Sequence, residues 1–431
     1  MNAMPVTLNG QLLPNGWKVI SVKWLSRRYS GGTPDKNISY YWTEGTIPWL
    51  NSGSVNQGVI REPSEFITEE GFANSSAKWM PRGSLVMALA GQGKTKAMVG
   101  YLDIATTGNQ SLAAIVPNAI DGKFLYWWLT SQYRHIRNLS SQDGRDGLNL
   151  EMVGSIRCPV PPLETQKRIA AFLDEKTAQI DGLIARKQAL LARLAEKRQA
   201  IITQAVTKGL NPAAPLKDSG IDWLGQIPAH WEAVPLKRLK RFLTSGSRGW
   251  GDYYADEGDV FLRMTNVTKG GVEIDSTDLR HVKLDGVREG TRTATKVGDI
   301  LITITAELGS VAIVRAAHAG AFINQHIALF RPDQSQCDPD FLVNFLWSDV
   351  TKAQFELSGQ GGTKQGLGFD QVDNVMIALP PLDEQREITR QVESSRNNID
   401  VAEGLVSQSV ISLTEYRSAL ITSAVTGQLE I

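Results

Sequence analysis

Two stretches of this chain repeat an apolar side chain every seven residues, with one lysine in the series. The positions in the first stretch are Leu173, Ile180, Lys187, Leu194 and Ile201. Those in the second stretch are Val392, Ile399, Val406, Leu413 and Leu420. Such spacing over about four to five heptads is typical of a coiled-coil helix.

Helix start and stop signals bracket both stretches. Pro-Pro pairs begin at Pro161 and Pro380, and proline is tolerated in the first turn of a helix. Gly209 ends the first helix and Gly427 ends the second. Each helix would run about 65 Å at 1.5 Å per residue, which is long for a compact domain. We expect the two helices to bury their stripes against each other, and a globular bundle is the alternative.

The chain contains an internal repeat at an offset of 219 residues. Between Pro161–Leu210 and Pro380–Leu429, 17 of 50 positions are identical without a gap. Upstream, "GSLVMALAGQGKTKAMV" resembles "GDILITITAELGSVAIV", and "GNQSLAAIVP" resembles "INQHIALFRP". Each half is therefore a variable block followed by a better-preserved helix. The predicted segments are a first domain over 1–160, a helix over 161–210, a linker over 211–221, a second domain over 222–379 and a helix over 380–431.

The variable blocks have the pattern of mixed α/β (α+β) domains. The stretch "GDILITITAELGSVAIVR" is rich in Ile, Val and Thr and predicts a strand, a turn and a second strand. The stretches "FLYWWLTSQYRHIRNL" and "PDFLVNFLWSDVTKAQFEL" have helical periodicity. Two similar α+β domains, each followed by a long helix, are the predicted architecture.

The stretch Leu89–Met98, "LAGQGKTKAM", resembles the end of a phosphate-binding loop. The first glycine of that motif would fall at Ala88, and a short strand closed by Gly100 follows instead of a long helix. The counterpart in the second copy, "LGS" at 308–310, has no lysine. A basic hairpin tip is the favoured interpretation. A nucleotide-binding enzyme stays as an alternative, testable with Lys94→Ala.

Composition adds mainly exclusions. The 431 residues suggest two or three domains, and the 45 basic and 45 acidic side chains balance. Neutral net charge gives no global sign of nucleic-acid binding, so any such site must be a local patch. Two cysteines, and no run of 18 apolar residues, favour a cytoplasmic protein that is not bound to a membrane.

No catalytic motif stands out. The chain lacks the [ND]-P-P-[YF] motif of adenine methylation and a G-x-G-x-x-G after a strand. The scattered histidines lack the spacing of metal ligands; they are His135, His230, His281, His318 and His326. These observations argue against an enzyme that works alone and against a metal site.

Loops rich in hydrogen-bonding side chains are the candidates for base or phosphate contacts, since Arg and Lys suit guanine while Asn and Gln suit adenine. In the first block they are Tyr40, Tyr41, Asn51, Ser52, Gln57, Lys94, Lys96, Gln142 and Arg145. In the second block they are Arg248, Trp250, Arg263, Asn266, Lys269, Gln360, Lys364 and Gln365. Solvated loops without a ligand are the alternative.

These patterns resemble the specificity subunits of Type I restriction-modification systems. The resemblance rests on "PPLETQ" and "PPLDEQ" at the helix starts, "AIITQAVTKGL" and "ALITSAVTGQL" at the helix ends, and the linker "LKDSGIDWLGQIPAHWE". It covers essentially the whole chain. One departure is Thr165, where glutamate is usual and where the second copy has Glu384.

The resemblance implies a non-catalytic DNA-recognition subunit. Two pseudo-twofold related target-recognition domains would each recognise one half of a bipartite, asymmetric site in double-stranded DNA. The two helices would form an antiparallel coiled-coil spacer. Two methylation subunits would bring S-adenosylmethionine and adenine N6 methylation, so no cofactor is expected on this chain. Two ATP-using restriction subunits are left open. A coiled-coil scaffold with two protein-binding domains is the alternative function.

Overall fold

The chain forms two compact units in a computed structural model that describes residues 6–8, 10–91, 93–139, 147–283, 291–359 and 366–431. Unit 1 comprises Met1–Gln188 and Gln408–Ile431. Unit 2 comprises Ala189–Ser407. Each unit therefore contains one variable block and part of both long helices.

The first half of the chain alternates short strands with short helices before one long helix. Its strands are β1 (Thr7–Leu8), β2 (Gln11–Leu12), β3 (Lys18–Ser21), β4 (Ser26–Ser30), β5 (Ile47–Leu50), β6 (Val59–Ile60), β7 (Glu65–Ile67), β8 (Leu85–Ala88), β9 (Val99–Leu102), β10 (Thr107–Gly108), β11 (Leu112–Pro117) and β12 (Arg157–Val160). Its helices are α1 (Val22–Leu25), α2 (Glu69–Ala73), α3 (Gly122–Ser131), α4 (Tyr133–Leu139), α5 (Leu150–Ser155) and the long α6 (Leu163–Lys208).

The second half follows the same plan. Its strands are β13 (Leu216–Asp218), β14 (Gln226–Pro228), β15 (Glu232–Pro235), β16 (Lys240–Ser245), β17 (Tyr254–Ala255), β18 (Asp259–Leu262), β19 (Arg280–Val282), β20 (Ile300–Thr303), β21 (Val311–Ile313), β22 (Phe322–Ile323), β23 (Ile327–Pro332) and β24 (Met376–Leu379). Its helices are α7 (Pro339–Trp347), α8 (Asp349–Gly359), α9 (Phe369–Asp373) and the long α10 (Leu382–Val425).

A five-stranded sheet in the order β4-β11-β8-β9-β6 lies at the centre of unit 1. Both faces of β8 are buried, since successive side chains of a strand point to opposite faces. Leu85 and Met87 join the core that contains α3, whereas Val86 and Ala88 join a second core. A smaller sheet, β10-β5-β7, contains a parallel pair between β10 and β5.

Unit 2 has a matching sheet in the order β16-β23-β20-β21. Ile300 and Ile302 on β20 join the core that contains α7, and Leu301 between them joins the opposite core. The second sheet, β17-β19-β18-β22, again contains a parallel pair, between β18 and β22. The predicted α+β domains and the repeat are thus confirmed by equivalent strand pairing. The predicted hairpin is confirmed by the antiparallel pair β20–β21.

Each variable block is closed by one antiparallel strand pair just before its Pro-Pro motif. Strand β3 pairs with β12 in unit 1, and β15 pairs with β24 in unit 2. Since a strand near the beginning of each block pairs with its last strand, the pair holds the block to the start of its long helix.

The ends of the long helices pack on an indole ring in each unit. Gly427, with φ 72°, lies so close to Trp17 that an added Cβ would be 2.9 Å from the ring atom Cζ2. Gly209, with φ 73°, lies against Trp231 in the same way, at 3.2 Å. Positive φ and the close approach both favour glycine at the helix end. The helix of one repeat therefore ends on the variable block of the other repeat.

The two long helices pack antiparallel in unit 1. The beginning of α6 contributes Ile169 and Leu173 to the same core as Ile421 and Val425 near the end of α10. In unit 2 the order is reversed, because residues 202–206 of α6 share a core with residues 388–392 of α10. The predicted antiparallel coiled coil is confirmed, with helices of 46 and 44 residues.

The described residues contain no helix that is both long enough and apolar enough to cross a lipid bilayer.

Candidate nucleic-acid interface

The stretch that resembles a phosphate-binding loop is the tip of the β8–β9 hairpin in unit 1. Antiparallel pairing of β8 with β9 confirms the predicted hairpin. A strand follows Lys94 where a phosphate-binding loop would begin a helix. The Lys94 side chain is exposed, and its carbonyl oxygen accepts a hydrogen bond of 2.7 Å from the Tyr133 hydroxyl. Lys96 is half-buried.

A 3-10 turn, Ser52–Gln57, lies beside this tip. The Asn51 side chain accepts a hydrogen bond of 2.8 Å from the Gly53 backbone N–H and so caps the turn. Ser52 is half-buried, while Gln57 is exposed and donates to the Glu62 carbonyl at 3.1 Å. The side chains of Asn51 and Gln57 thus both bond to nearby backbone, and Gln57 remains exposed to solvent.

The turn and the hairpin tip border one cavity in unit 1, with a volume of about 430 Å³. Asn56 of the turn and Lys94 of the tip both line it, with Met98, Tyr126 and Tyr133. Burial raises the pKa of Tyr126, so this phenol stays protonated. The structure therefore brings two of the predicted loops together on one surface of unit 1.

The Tyr40–Tyr41 pair presents one ring and buries the other. Tyr40 is 52% exposed, whereas Tyr41 is 8% exposed and packs against Gly71. Their ring centroids are 4.7 Å apart in an edge arrangement. Tyr40 is available to stack on a base, and Tyr41 supports it.

In unit 2, Trp250 is part of a small aromatic core. Its ring lies 4.8 Å from Phe261 and 5.4 Å from Phe322, and the residue is 5% exposed. Arg248, two residues earlier, is exposed. The buried indole therefore holds the loop that presents Arg248, and it is not itself a stacking surface.

Arg263 and Asn266 stabilise a second loop of unit 2. The Arg263 guanidinium donates to the carboxylate and the carbonyl of Asp278, both at 2.8 Å, and this hydrogen bond lowers the pKa of the Asp278 carboxyl. Asn266 is 2% exposed; its side chain accepts from the Arg263 backbone and donates to the Asp275 carbonyl. Lys269, at the end of this loop, is exposed.

A family model matches both halves of the chain. The model describes the Type I restriction modification DNA specificity domain, and it matches residues 14–192 and 240–407. The chain belongs to this family. It is a specificity subunit of a Type I restriction-modification system, with one specificity domain in each half.

Curated relatives carry the same description. The EcoBI specificity subunit of Escherichia coli is 28% identical over 301 residues, which cover 68% of this chain and 61% of that subunit. The EcoKI specificity subunit of Escherichia coli K12 is 23% identical, over 97% of this chain and 90% of that subunit. The MjaVIII subunit of Methanocaldococcus jannaschii is 21% identical, over 91% and 89%. The match thus spans about three fifths of the EcoBI subunit's length.

Solved structures share the fold. A chain solved in work on complex assembly and conformational transition of the type I R-M system has a TM-score of 0.75 at 18% identity, over 97% of this chain and 99% of that chain. The HsdS subunit of Thermoanaerobacter tengcongensis has a TM-score of 0.52 at 16% identity, over 98% and 99%. At such identities the likeness concerns the fold alone.

Several predicted contact residues of the specificity subunit lie outside the described residues. They are Gln142, Arg145, Gln360, Lys364 and Gln365. Among the described candidates, the exposed ones are Tyr40, Gln57, Lys94, Arg248 and Lys269. DNA contact by any of these residues stays a prediction.

The sequence-based selection omitted Lys36, which lies over two indole rings. Its Nζ is 5.6 Å from the centroid of Trp42 and 5.9 Å from that of Trp49, which is cation–π geometry. The signal in the sequence was a lysine followed by two tryptophans within thirteen residues, Trp42 and Trp49, the second of which lies on β5. The Lys36 side chain is exposed, whereas Trp49 is buried, so the cation lies at the surface of unit 1 above an aromatic core.

The glutamine of the PPLETQ and PPLDEQ motifs has a clear structural role. The Gln166 side chain, 3% exposed, accepts from the Asp121 backbone N–H and donates to the Pro161 carbonyl, both at 2.8 Å. Gln385 makes the equivalent contacts with Asp338 and Pro380 at the same distances. The motif thus joins the start of each long helix to the first turn of α3 or α7. It is a structural motif and not a site.

In the described part of the chain, no cluster of three His, Cys, Asp or Glu side chains is arranged to hold a metal ion. Burial raises the pKa of the Cys158 and Cys337 thiols, which disfavours the reactive thiolate.

Proposed function

We propose that this specificity subunit selects the DNA sequence for a Type I restriction-modification complex, with each unit recognising one half of a bipartite, asymmetric site. The observation that carries the proposal is one fold built twice with different loop residues. Strand order and pairing are alike in the two units, while the loops beside them differ in charge and hydrogen-bonding groups. Two domains with equivalent scaffolds and different loops are suited to recognising two different DNA sequences.

The exposed loop residues are the proposed contacts with DNA. Lys94 and Gln57 in unit 1, and Arg248 and Lys269 in unit 2, combine exposure with groups that suit base edges or phosphates. Tyr40 adds a ring for stacking. We infer that the buried candidates support these loops; they are Tyr41, Trp250 and Asn266. The partly covered candidates are secondary contacts with DNA in this proposal; they are Asn51, Ser52, Lys96 and Arg263.

We further infer that the paired long helices set the gap between the half-sites. Arg417 contacts Asp181 in unit 1, and Arg198 contacts Asp400 in unit 2. The two contacts are equivalent in the repeat, since Asp400 and Arg198 lie 219 residues from Asp181 and Arg417. Half-sites of dimeric readers usually lie about 34–36 Å apart, and stiff helices suit that task better than a flexible linker.

The partners in this proposal are double-stranded DNA and two methylation subunits. Exposed apolar side chains on the long helices support docking of such subunits. In unit 2, Val401 is 65% and Leu405 is 69% exposed, and in unit 1 Ile411 is 51% and Tyr416 is 58% exposed. The methylation subunits would hold S-adenosylmethionine and supply phosphate contacts that this neutral chain lacks. The specificity subunit would be non-catalytic and cytoplasmic, and restriction subunits are left open.

The test is an exchange of one recognition block. Residues 222–379 are replaced by the corresponding block of another specificity subunit, and the chain is co-expressed with its methylation subunits. Methylation-sensitive sequencing of host DNA should show one half of the modified site changed and the other half retained. A change in both halves would contradict two independent readers. Methylation that ignores sequence would favour a scaffold role.

A further inference from the structure

The hairpin tips of both units contain an alanine with strained backbone. In the described part of the chain, the non-glycine residues with positive φ are Glu44 (58°), Ala97 (71°) and Ala306 (59°). Ala97 lies in the tip between β8 and β9, two residues before β9, and Ala306 lies in the tip between β20 and β21, three residues after β20. Positive φ is unfavourable for alanine and persists where surrounding contacts fix the backbone. Two of the three outliers are thus in equivalent tips.

In unit 1, two side chains of α4 fix the tip through its backbone. The Tyr133 hydroxyl donates to the Lys94 carbonyl at 2.7 Å. The Arg137 guanidinium donates to the Gly93 carbonyl at 2.7 Å and to the Lys96 carbonyl at 3.2 Å. Tyr133 and Arg137 are one helical turn apart, and Arg137 also contacts the Tyr133 hydroxyl at 3.4 Å. Hydrogen bonds to three carbonyl oxygens hold the tip, while the Lys94 side chain is exposed.

The equivalent tip of unit 2 is fixed by a different contact. Gly309, with φ 75°, lies against Phe355 of α8, and an added Cβ would be 2.5 Å from the ring atom Cδ2. At the base of the tip the two units agree. The Leu148 N–H donates to the Leu89 carbonyl in unit 1, and the Leu367 N–H donates to the Ile304 carbonyl in unit 2. The two units keep a rigid tip by different means while its exposed residues differ.

A rigid backbone with variable side chains is the arrangement expected of an element that determines specificity. A lysine on a mobile tip would still be attracted to phosphates, because Coulomb attraction tolerates displacement. Discrimination between bases requires the donor to occupy one position relative to the base edge. Fixing the tip before binding also lowers the entropy lost on association.

We propose that Tyr133 and Arg137 are positioning residues for sequence discrimination by unit 1, acting through the backbone of the tip that presents Lys94. The proposal rests on the proposed function, since it presumes that unit 1 recognises one half-site. Lys94 contacts DNA, and the α4 pair determines where that contact falls.

The experiment compares Y133F, R137M and the double variant with a matched control, R134M. Arg134 is exposed on the same helix and has the same charge, whereas the hydrogen bonds to the tip carbonyls described above come from Tyr133 and Arg137. Each variant is purified in complex with the methylation subunits. The ratio of kcat/KM for the intact site to kcat/KM for sites with one base changed is measured separately for each half-site. Thermal unfolding of each complex is recorded alongside.

The expected result is selective loss of discrimination. In the double variant, discrimination at the half-site assigned to unit 1 by block exchange should fall about tenfold, with a smaller loss in each single variant. The other half-site should keep its discrimination in every variant. R134M should discriminate between sites as the wild type does. The melting temperatures of all variant complexes should agree with that of the wild-type complex within about 2 °C.

Three outcomes would overturn the inference, each for its own reason. If R137M and R134M lowered kcat/KM equally for all sites and left the discrimination between sites intact, Arg137 would act only as a charge. Equal loss at both half-sites with a lowered melting temperature would mean that the pair only stabilises the fold. A wild-type complex that discriminates at neither half-site would instead contradict the proposed function, and the inference would fall with it.

Discussion

Replacing Asp181 with arginine should weaken the antiparallel pairing of the long helices in unit 1. The Asp181 carboxylate accepts two hydrogen bonds from the Arg417 guanidinium, at 2.8 and 3.1 Å. The repeat contains the same pair with its members exchanged, because Asp400 and Arg198 occupy the positions 219 residues away. Arg198 contacts Asp400 and Glu403 at 2.5 Å in unit 2. An arginine of each repeat therefore binds a carboxylate of the other.

The exposure of the Arg417–Asp181 pair to solvent determines how much stability D181R should lose. The side chains of Arg417 and Asp181 are 28% and 51% exposed, so solvent and salt screen the pair considerably. Exposed ion pairs contribute about 0.2–1 kcal/mol, and the two-bond geometry places this pair near the upper end. Reversing one charge adds a repulsion of similar size, so D181R should cost about 1–2 kcal/mol. For a unit of this size that lowers the melting temperature by about 2–7 °C.

The assay is a double-mutant cycle followed by thermal unfolding. D181R, R417D and the exchanged pair D181R/R417D are compared with the wild type at low salt and in about 0.5 M salt, where the Debye length falls to a few Å. The exchanged pair should recover most of the loss, and high salt should shrink all differences. If the losses in stability of the single variants simply add in the exchanged variant, or do not depend on salt concentration, an ion pair is not their cause.

Further predictions concern the helix ends, the motif glutamine and the thiols. Gly427→Ala should lower the free energy of unfolding by about 1 kcal/mol or more, because φ is 72° and the added Cβ would lie 2.4 Å from a proline side chain. Gly404→Ala is the control on the same helix. Because its added Cβ would lie in open space, it should raise the free energy of unfolding by about 0.5–1 kcal/mol. Gln385→Leu should cost about 1–3 kcal/mol in denaturant unfolding, since it leaves a buried N–H and a carbonyl unpaired, and a smaller loss would show that water replaces the amide. Cys158 and Cys337 should resist a thiol reagent at about pH 8 until urea unfolds the chain, since burial raises both pKa values; rapid reaction of the native protein would contradict their burial.

The sequence predicted those parts of the fold that depend on local periodicity. Seven-residue spacing predicted α6 and α10, and the ends at Gly209 and Gly427 lie just beyond the observed helices. A stretch rich in Ile, Val and Thr predicted the β20–β21 hairpin. The repeat predicted that the two halves share one topology, because similar sequences fold alike even where the copies diverge.

Which loop side chains face solvent could not be predicted from sequence. Trp250, Tyr41 and Asn266 have residue types suited to DNA, yet the core of their own unit covers them. A tryptophan in a loop serves equally well as a stacking surface or as a core, and only tertiary packing decides between these uses. The anchors Tyr133 and Arg137 were missed for a related reason, since they lie about forty residues beyond the tip that they hold.

The central claim is that one chain joins two domains that recognise different DNA sequences. Determining the methylated sites tests this claim most directly. The chain is co-expressed with its methylation subunits in a host that lacks other adenine methylation, and the modified positions are determined by sequencing across the genome. The account predicts one motif made of two different specific halves, separated by a gap of unspecified bases with a single length. One continuous motif, two identical halves or a gap of variable length would contradict it.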